Sequence, residues 1–166
     1  EGQVALAEPA ESPAVESPEA TPWVGGGTLL LVDDEEDFLV VLAERMKTRG
    51  IEVSTATSAT EAIRIAENES FDAIIVDLMM PEMDGLEALK LIKEEKPESQ
   101  VILLTGHATI DKGIEAMKLG AVDFLEKPAD LSQLTEKIKK AHAKKMIIVE
   151  KQIEEKVKKV MRSMGW

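Results

Sequence analysis

The feature that most constrains this chain is an alternation of short apolar runs with amphipathic stretches through its middle. The apolar runs fall at residues 29–32, 51–55, 73–76, 101–104 and 121–125. Runs apolar on both faces suit strands of a parallel sheet covered by helices on each side. Between them the spacing turns helical. Phe38, Leu42 and Met46 recur at i, i+4 and i+8, and Gly50 supplies a stop. Ser58 with Glu61 forms a capping box ahead of Ala62, Ile63 and Ala66. Leu86, Leu89 and Ile92 make a third stripe that ends before Pro97, and Ile110, Ile114 and Met117 a fourth, closed by Gly120. Asp130 caps a fifth, with Leu131, Leu134, Ile138 and Ala141 on one face. Five strands alternating with five helices predict an open α/β sheet with right-handed crossovers. Such sheets bind ligands beyond the carboxyl ends of their strands, at the topological switch point.

Composition narrows the chemistry available there. The chain has no cysteine, which removes disulfides, thiolate metal sites and Cys nucleophiles. It carries 20 Lys+Arg against 32 Asp+Glu, for a formal net charge of −12, and this argues against direct DNA binding by the main domain. No uncharged apolar stretch reaches membrane-spanning length, and the N-terminus lacks the pattern of a signal peptide, so a cytoplasmic location is expected. The charge is segregated. Residues 1–27 hold five Glu and no base, residues 28–135 hold 23 acids and 10 bases, and residues 136–166 hold four acids and 10 bases. The first block, rich in Ala, Glu, Pro and Ser, reads as a flexible linker or tail; Gly25-Gly26-Gly27 precedes a strand, so it is a hinge rather than a phosphate loop.

The expected strand ends deliver polar groups to one rim. The first ends in Asp33-Asp34-Glu35, the third in Asp77, the fourth in Thr105 and the fifth in Lys127-Pro128. Singly these are weak signals: Asp34 suits a helix N-cap, and Asp77 a turn. If the first and third strands are neighbours, however, three carboxylates converge and their repulsion must be relieved. A hard divalent cation such as Mg²⁺ does this with oxygen ligands and retained waters. Alternatively one Asp stays protonated. A carboxylate nucleophile beside a cation, an ammonium and a hydroxyl has what phosphoryl transfer needs.

The motifs LLLVDDEEDF, IIVDLMMPEMDGLE, ILLTGHAT and GAVDFLEKP stand in the order and spacing of a known family. Over residues 28–141 the chain resembles the receiver domain of two-component response regulators. The resemblance implies a flavodoxin-like, doubly wound five-stranded sheet in the order 2-1-3-4-5; the extended C-terminal helix expected here departs from the family's common layout. The resemblance also implies that Asp77 accepts a phosphoryl group from a histidine kinase or phosphotransfer protein. Asp33, Asp34, Asp77 and the backbone carbonyl of Met79 would hold Mg²⁺, Asp33 largely through water. Lys127 would pair with a phosphoryl oxygen, and its bond to Pro128 would be cis. Thr105 and Phe124 would form the switch, and Gly85 would adopt a backbone conformation that other residues resist. The face of the fourth helix, fifth strand and fifth helix would then meet a downstream partner or a second copy. Such a domain is a signalling switch rather than an enzyme.

Two competing classes are a Mg²⁺-dependent phosphohydrolase with an Asp nucleophile and an unphosphorylated docking module. The hydrolase would place a second acid two residues after its nucleophile, where this chain has Met79. His107, near a helix start, reads as solvated or capping and His142 as incidental, and neither has partners at metal-ligand spacing. Residues 142–166 are expected to extend the fifth helix, with Val149, Ile153, Val157, Val160 and Met164 at helical spacing. That extension reads as a partner-binding helix or linker ahead of an autonomous coiled coil, with membrane binding last.

Overall fold

A computed structural model describes residues 27–106, 110–127 and 130–165. Most of the expected N-terminal linker, His107 and Pro128 lie outside the described residues. In chain order the elements are β1 (Thr28–Val32), α1 (Glu36–Lys47), β2 (Glu52–Ala56), α2 (Ala59–Asn68), β3 (Ala73–Val76), α3 (Gly85–Glu95), β4 (Val101–Thr105), α4 (Ile110–Lys118), β5 (Asp123–Glu126) and α5 (Leu131–Ser163). The strands form one parallel sheet in the order β2-β1-β3-β4-β5.

The sheet has an apolar layer on each face because its central strands alternate sides with nothing polar to expose. Leu29, Leu31, Ile75, Ile102 and Leu104 pack with α1 and α5, against Leu39, Leu42, Met46, Leu134 and Ile138. Leu30, Val32, Ile74, Val76 and Leu103 pack with α2 and α3, against Ala62, Ala66, Leu89 and Ile92. Each large aliphatic side chain so buried contributes about 1.5–3 kcal/mol. The edge strands β2 and β5 are only partly covered.

Local signals end the helices where expected. The Oγ of Ser58 accepts from Glu61 N at 3.2 Å, and Glu61 Oε1 accepts from Thr57 N at 3.1 Å. Asp84 and Asp130 cap α3 and α5 in the same way, through the backbone N–H groups of Glu87 and Gln133. Gly50 (φ 86°) and Gly120 (φ 105°) turn the chain after α1 and α4 in the left-handed region that L side chains resist.

The fourth helical stripe is a correction. Ile114 and Met117 are about half exposed, and α4 instead turns Ala116 toward the core. The ring of Phe124 lies beside Gly113, close enough that an added Cβ there would meet Cδ2 at 3.2 Å. Apolar spacing located the helix but not its buried side, since a small residue packs closer to a sheet than a large one.

Candidate functional site

Parallel pairing in register carries the ends of β1 and β3 to the same rim. Val32 is opposite Val76, and Asp77 N donates to Val32 O at 2.9 Å. The next residues, Asp33 and Asp77, are both nearly buried, while Asp34 is exposed. One carboxylate oxygen from each of Asp33, Asp34 and Asp77 lies within 4.8 Å of the others. The simpler reading of Asp34 as a helix cap does not hold: the N-cap of α1 is Glu35, and it makes no side-chain capping bond. Asp33 Oδ1 accepts from Glu35 N at 2.9 Å, turning the chain from strand to helix.

Lys127 reaches this cluster from the end of β5, positioned by its own N–H donating to Thr105 O at 2.8 Å. Its Nζ donates to Asp33 Oδ2 at 2.7 Å and to Glu35 Oε1 at 2.9 Å, and it sits 4.3 Å from the centre of the Phe38 ring. Glu35 and Phe38 are site residues that sequence reasoning did not assign. In the sequence Phe38 carries only the signal of a helical stripe, and Glu35 only that of the third acid in a run.

The electrostatics follow from crowding. Burial pushes the Asp77 carboxyl up to about 6, and the charge of Asp33 adds to the rise; Lys127 and a hydrogen bond from the backbone of Met79 oppose it. Burial also raises Asp33, in spite of the Lys127 hydrogen bond. For Lys127, burial works against the charged form, but the bonds to Asp33 and Glu35 outweigh it and the pKa rises. The pair therefore secures the ammonium better than it relieves the carboxylates, and the site retains an unmet demand for positive charge.

That demand suits Mg²⁺ or a similar hard cation. The donors are all oxygens, two of them sheltered and one open to solvent, so several waters can be kept. Among the described residues no His or Cys joins them, which disfavours zinc.

Thr105, fully buried at the end of β4, pairs with Glu126, as Leu103 pairs with Phe124. Thr105 and Phe124 thus share one face of the sheet, diagonally related. Met79 holds its side chain half exposed beside the cluster. Gly85 is needed for a different reason than expected: its φ is not positive, but an added Cβ would lie 2.6 Å from Asp77 O and 2.8 Å from Leu78 Cα. Its N–H donates to Leu78 O at 2.7 Å, closing the loop beneath the acid. His142 is not incidental either, since its Nδ1 lies 2.9 Å from Asp72 Oδ1 at the opposite rim.

A parallel sheet in the order 2-1-3-4-5, with this acidic pocket and a lysine at its carboxyl rim, has the architecture of a receiver domain. The family described as the response regulator receiver domain matches residues 29–139, and the chain belongs to it. It is 39% identical over 108 residues to the photosynthetic apparatus regulatory protein RegA of Cereibacter sphaeroides, covering 65% of this chain and 59% of that protein. The chain therefore matches under two thirds of the length of that relative. A response regulator receiver domain protein from Clostridium thermocellum superimposes with a TM-score of 0.70 at 39% identity, over 74% of this chain and 98% of that one. The beryllofluoride-activated NtrC4 receiver domain dimer does so with 0.68 at 36%, over 71% and 98%. Among the described residues no helix is long and apolar enough to cross a membrane.

Proposed function

We propose that this receiver domain is phosphorylated on Asp77 by a histidine kinase or phosphotransfer protein, in a Mg²⁺-dependent reaction that alters the α4–β5–α5 face. The observation that carries the reading is the meeting of Asp33, Asp34 and Asp77 beside the Lys127 ammonium.

In this reading an Asp77 carboxylate oxygen forms a bond to phosphorus as the P–N bond of a phosphohistidine breaks. The electron pair returns to the imidazole. Asp33, Asp34, Asp77 and the Met79 carbonyl would hold Mg²⁺, which when bound neutralises charge on the carboxylates and the phosphoryl oxygens. Lys127 exchanges a carboxylate partner for a phosphoryl oxygen, and Glu35, being exposed, is the partner released at least cost. Thr105 then turns its hydroxyl toward the phosphoryl group. The space it leaves draws Phe124 inward, away from Gly113, so α4 shifts and the half-exposed Ile114 and Met117 change their presentation. Phosphorylation biases this element only as far as the shifted packing binds the phosphoryl group better. Its consequence is a signal passed to a partner or a second copy, and the NtrC4 receiver, solved as an activated dimer, supports the latter form. A signalling switch of this kind belongs in the cytoplasm, with its kinase.

Incubation with Mg²⁺ and acetyl phosphate, followed by intact-mass analysis, tests the proposal. One phosphate is expected on the wild type and none on Asp77→Asn. Continuous turnover of phosphomonoesters would replace the switch with a hydrolase, and no incorporation at all would leave a docking module.

A further inference from the structure

The last part of α5 leaves most of its apolar residues exposed among the described residues. The helix contributes Leu134, Thr135, Ile138 and Ala141 to the core, and His142 and Lys145 hold it to Asp72 and the Phe71 carbonyl. Beyond that the helix continues to Ser163. Met146, Ile147, Ile153, Val157, Val160, Met161 and Met164 are 43–63% exposed there, and Ile148 and Val149 are half-buried.

Six of them, Met146, Val149, Ile153, Val157, Val160 and Met164, fall on one stripe, with Ile147 and Met161 to the side of it. Met146 recurs eleven residues on as Val157, Val149 as Val160, and Ile153 as Met164. A heptad frame fails here, since it places Glu150 in the seam, whereas an eleven-residue frame accepts all six. Its period of about 3.67 residues per turn nearly matches a straight α-helix, so the stripe runs almost parallel to the axis for about 27 Å. A stripe so straight is matched by another helix lying alongside it.

The flanks identify that helix. At about 100° per residue, Glu150 and Glu154 border the stripe on one side, and Lys145 and Lys156 on the other. When two identical helices pair in parallel, unlike flanks face each other, so acid meets base along both edges. An antiparallel pair would set acid against acid and base against base. We propose that residues 146–164 form a parallel two-helix interface with the same segment of a second copy of this chain. This interface lies on the part of α5 beyond Ala141, past the portion that packs on the sheet, and needs no phosphoryl group.

Sedimentation equilibrium of the whole chain, without phosphodonor and in the Asp77→Asn background, keeps the test independent of Asp77 chemistry. A monomer–dimer equilibrium is expected at micromolar concentration, with Ile153→Asp and Val157→Asp each weakening it by at least about tenfold. Both sites are exposed, so unchanged far-UV circular dichroism should accompany the loss. Because the chain has no cysteine, Met164→Cys alone reports orientation: a parallel pair forms the symmetric disulfide on mild oxidation. A monomer at all concentrations, or association indifferent to both Asp variants, overturns the proposal. So does a disulfide formed between Met146→Cys and Met164→Cys chains but not between two Met164→Cys chains. Binding to anionic phospholipid vesicles in place of self-association also overturns it.

Discussion

At the carboxyl end of β3, Asp77 keeps its proton up to about pH 6 because burial and the neighbouring Asp33 disfavour the ionised form. In the unfolded chain the same group titrates near 3.8. The folded state therefore binds this proton more tightly, and the stability it confers is full below about pH 4 and is lost as pH rises through 6. Asp77→Asn removes the titration. In Mg²⁺-free buffer the variant should be more stable than wild type by on the order of 1–2 kcal/mol at pH 8, allowing for solvent at the rim, with the gap closing toward pH 4. Urea denaturation at several pH values measures this, and a gap independent of pH would show that folding does not raise the Asp77 pKa. Lys127 makes the converse point. Without its ammonium Asp33 would be buried among acids with no counter-charge, so in the same buffer Lys127→Ala should lose about 1–3 kcal/mol at pH 7. Calorimetric titration of that variant should still show Mg²⁺ binding, since the carboxylates remain.

Among the elements, the β3–α3 loop and the seating of α5 depend on contacts of different kinds. Gly85 brings the start of α3 against the Asp77 and Leu78 backbone, and a methyl there has nowhere to go but into main chain. Gly85→Ala should cost about 1–3 kcal/mol and slow phosphorylation, because relief of the clash moves the Asp77 peptide. Thermal melting and phosphodonor uptake read the two effects together. At the other rim, Asp72 Oδ2 accepts from Thr28 N at 2.9 Å while Oδ1 meets His142. One carboxylate thus ties the start of β1 to α5. Asp72→Ala should cost about 1–3 kcal/mol and raise amide exchange both at Thr28 and in α5 near residue 142. Exchange confined to one of the two would show that they are not coupled through it.

For the molecule as a whole, the net charge of −12 is unevenly spread, with acids grouped around Asp33 and Asp77 and a basic stretch after residue 135. A cation bound only by the folded acidic pocket stabilises the fold by mass action, by about 2.7 kcal/mol at a hundred times its dissociation constant. Melting temperature should therefore rise with Mg²⁺ well beyond the rise produced by NaCl of equal ionic strength, and Asp34→Ala with Asp77→Asn should reduce Mg²⁺ to the NaCl effect. Equal responses to both salts would mean that screening, rather than a site, is at work.

The alternation of elements, the capping by Ser58 and Asp130 and the turns at Gly50 and Gly120 were legible in the chain alone. All of these are short-range matters, decided between residues up to four apart or by the period of a single element. The particular Asp, Thr and Lys positions became legible through resemblance to a family, since no local rule separates Asp77 from a turn residue. Tertiary structure decided what spans the chain: Lys127 with Asp33, 94 positions away, with Glu35 at 92, and His142 with Asp72 at 70. It also turned Ala116 rather than Ile114 inward, and made Gly85 a matter of space instead of torsion. Such contacts form only after strands far apart in sequence lie side by side, and a linear pattern carries no record of which groups will then be neighbours.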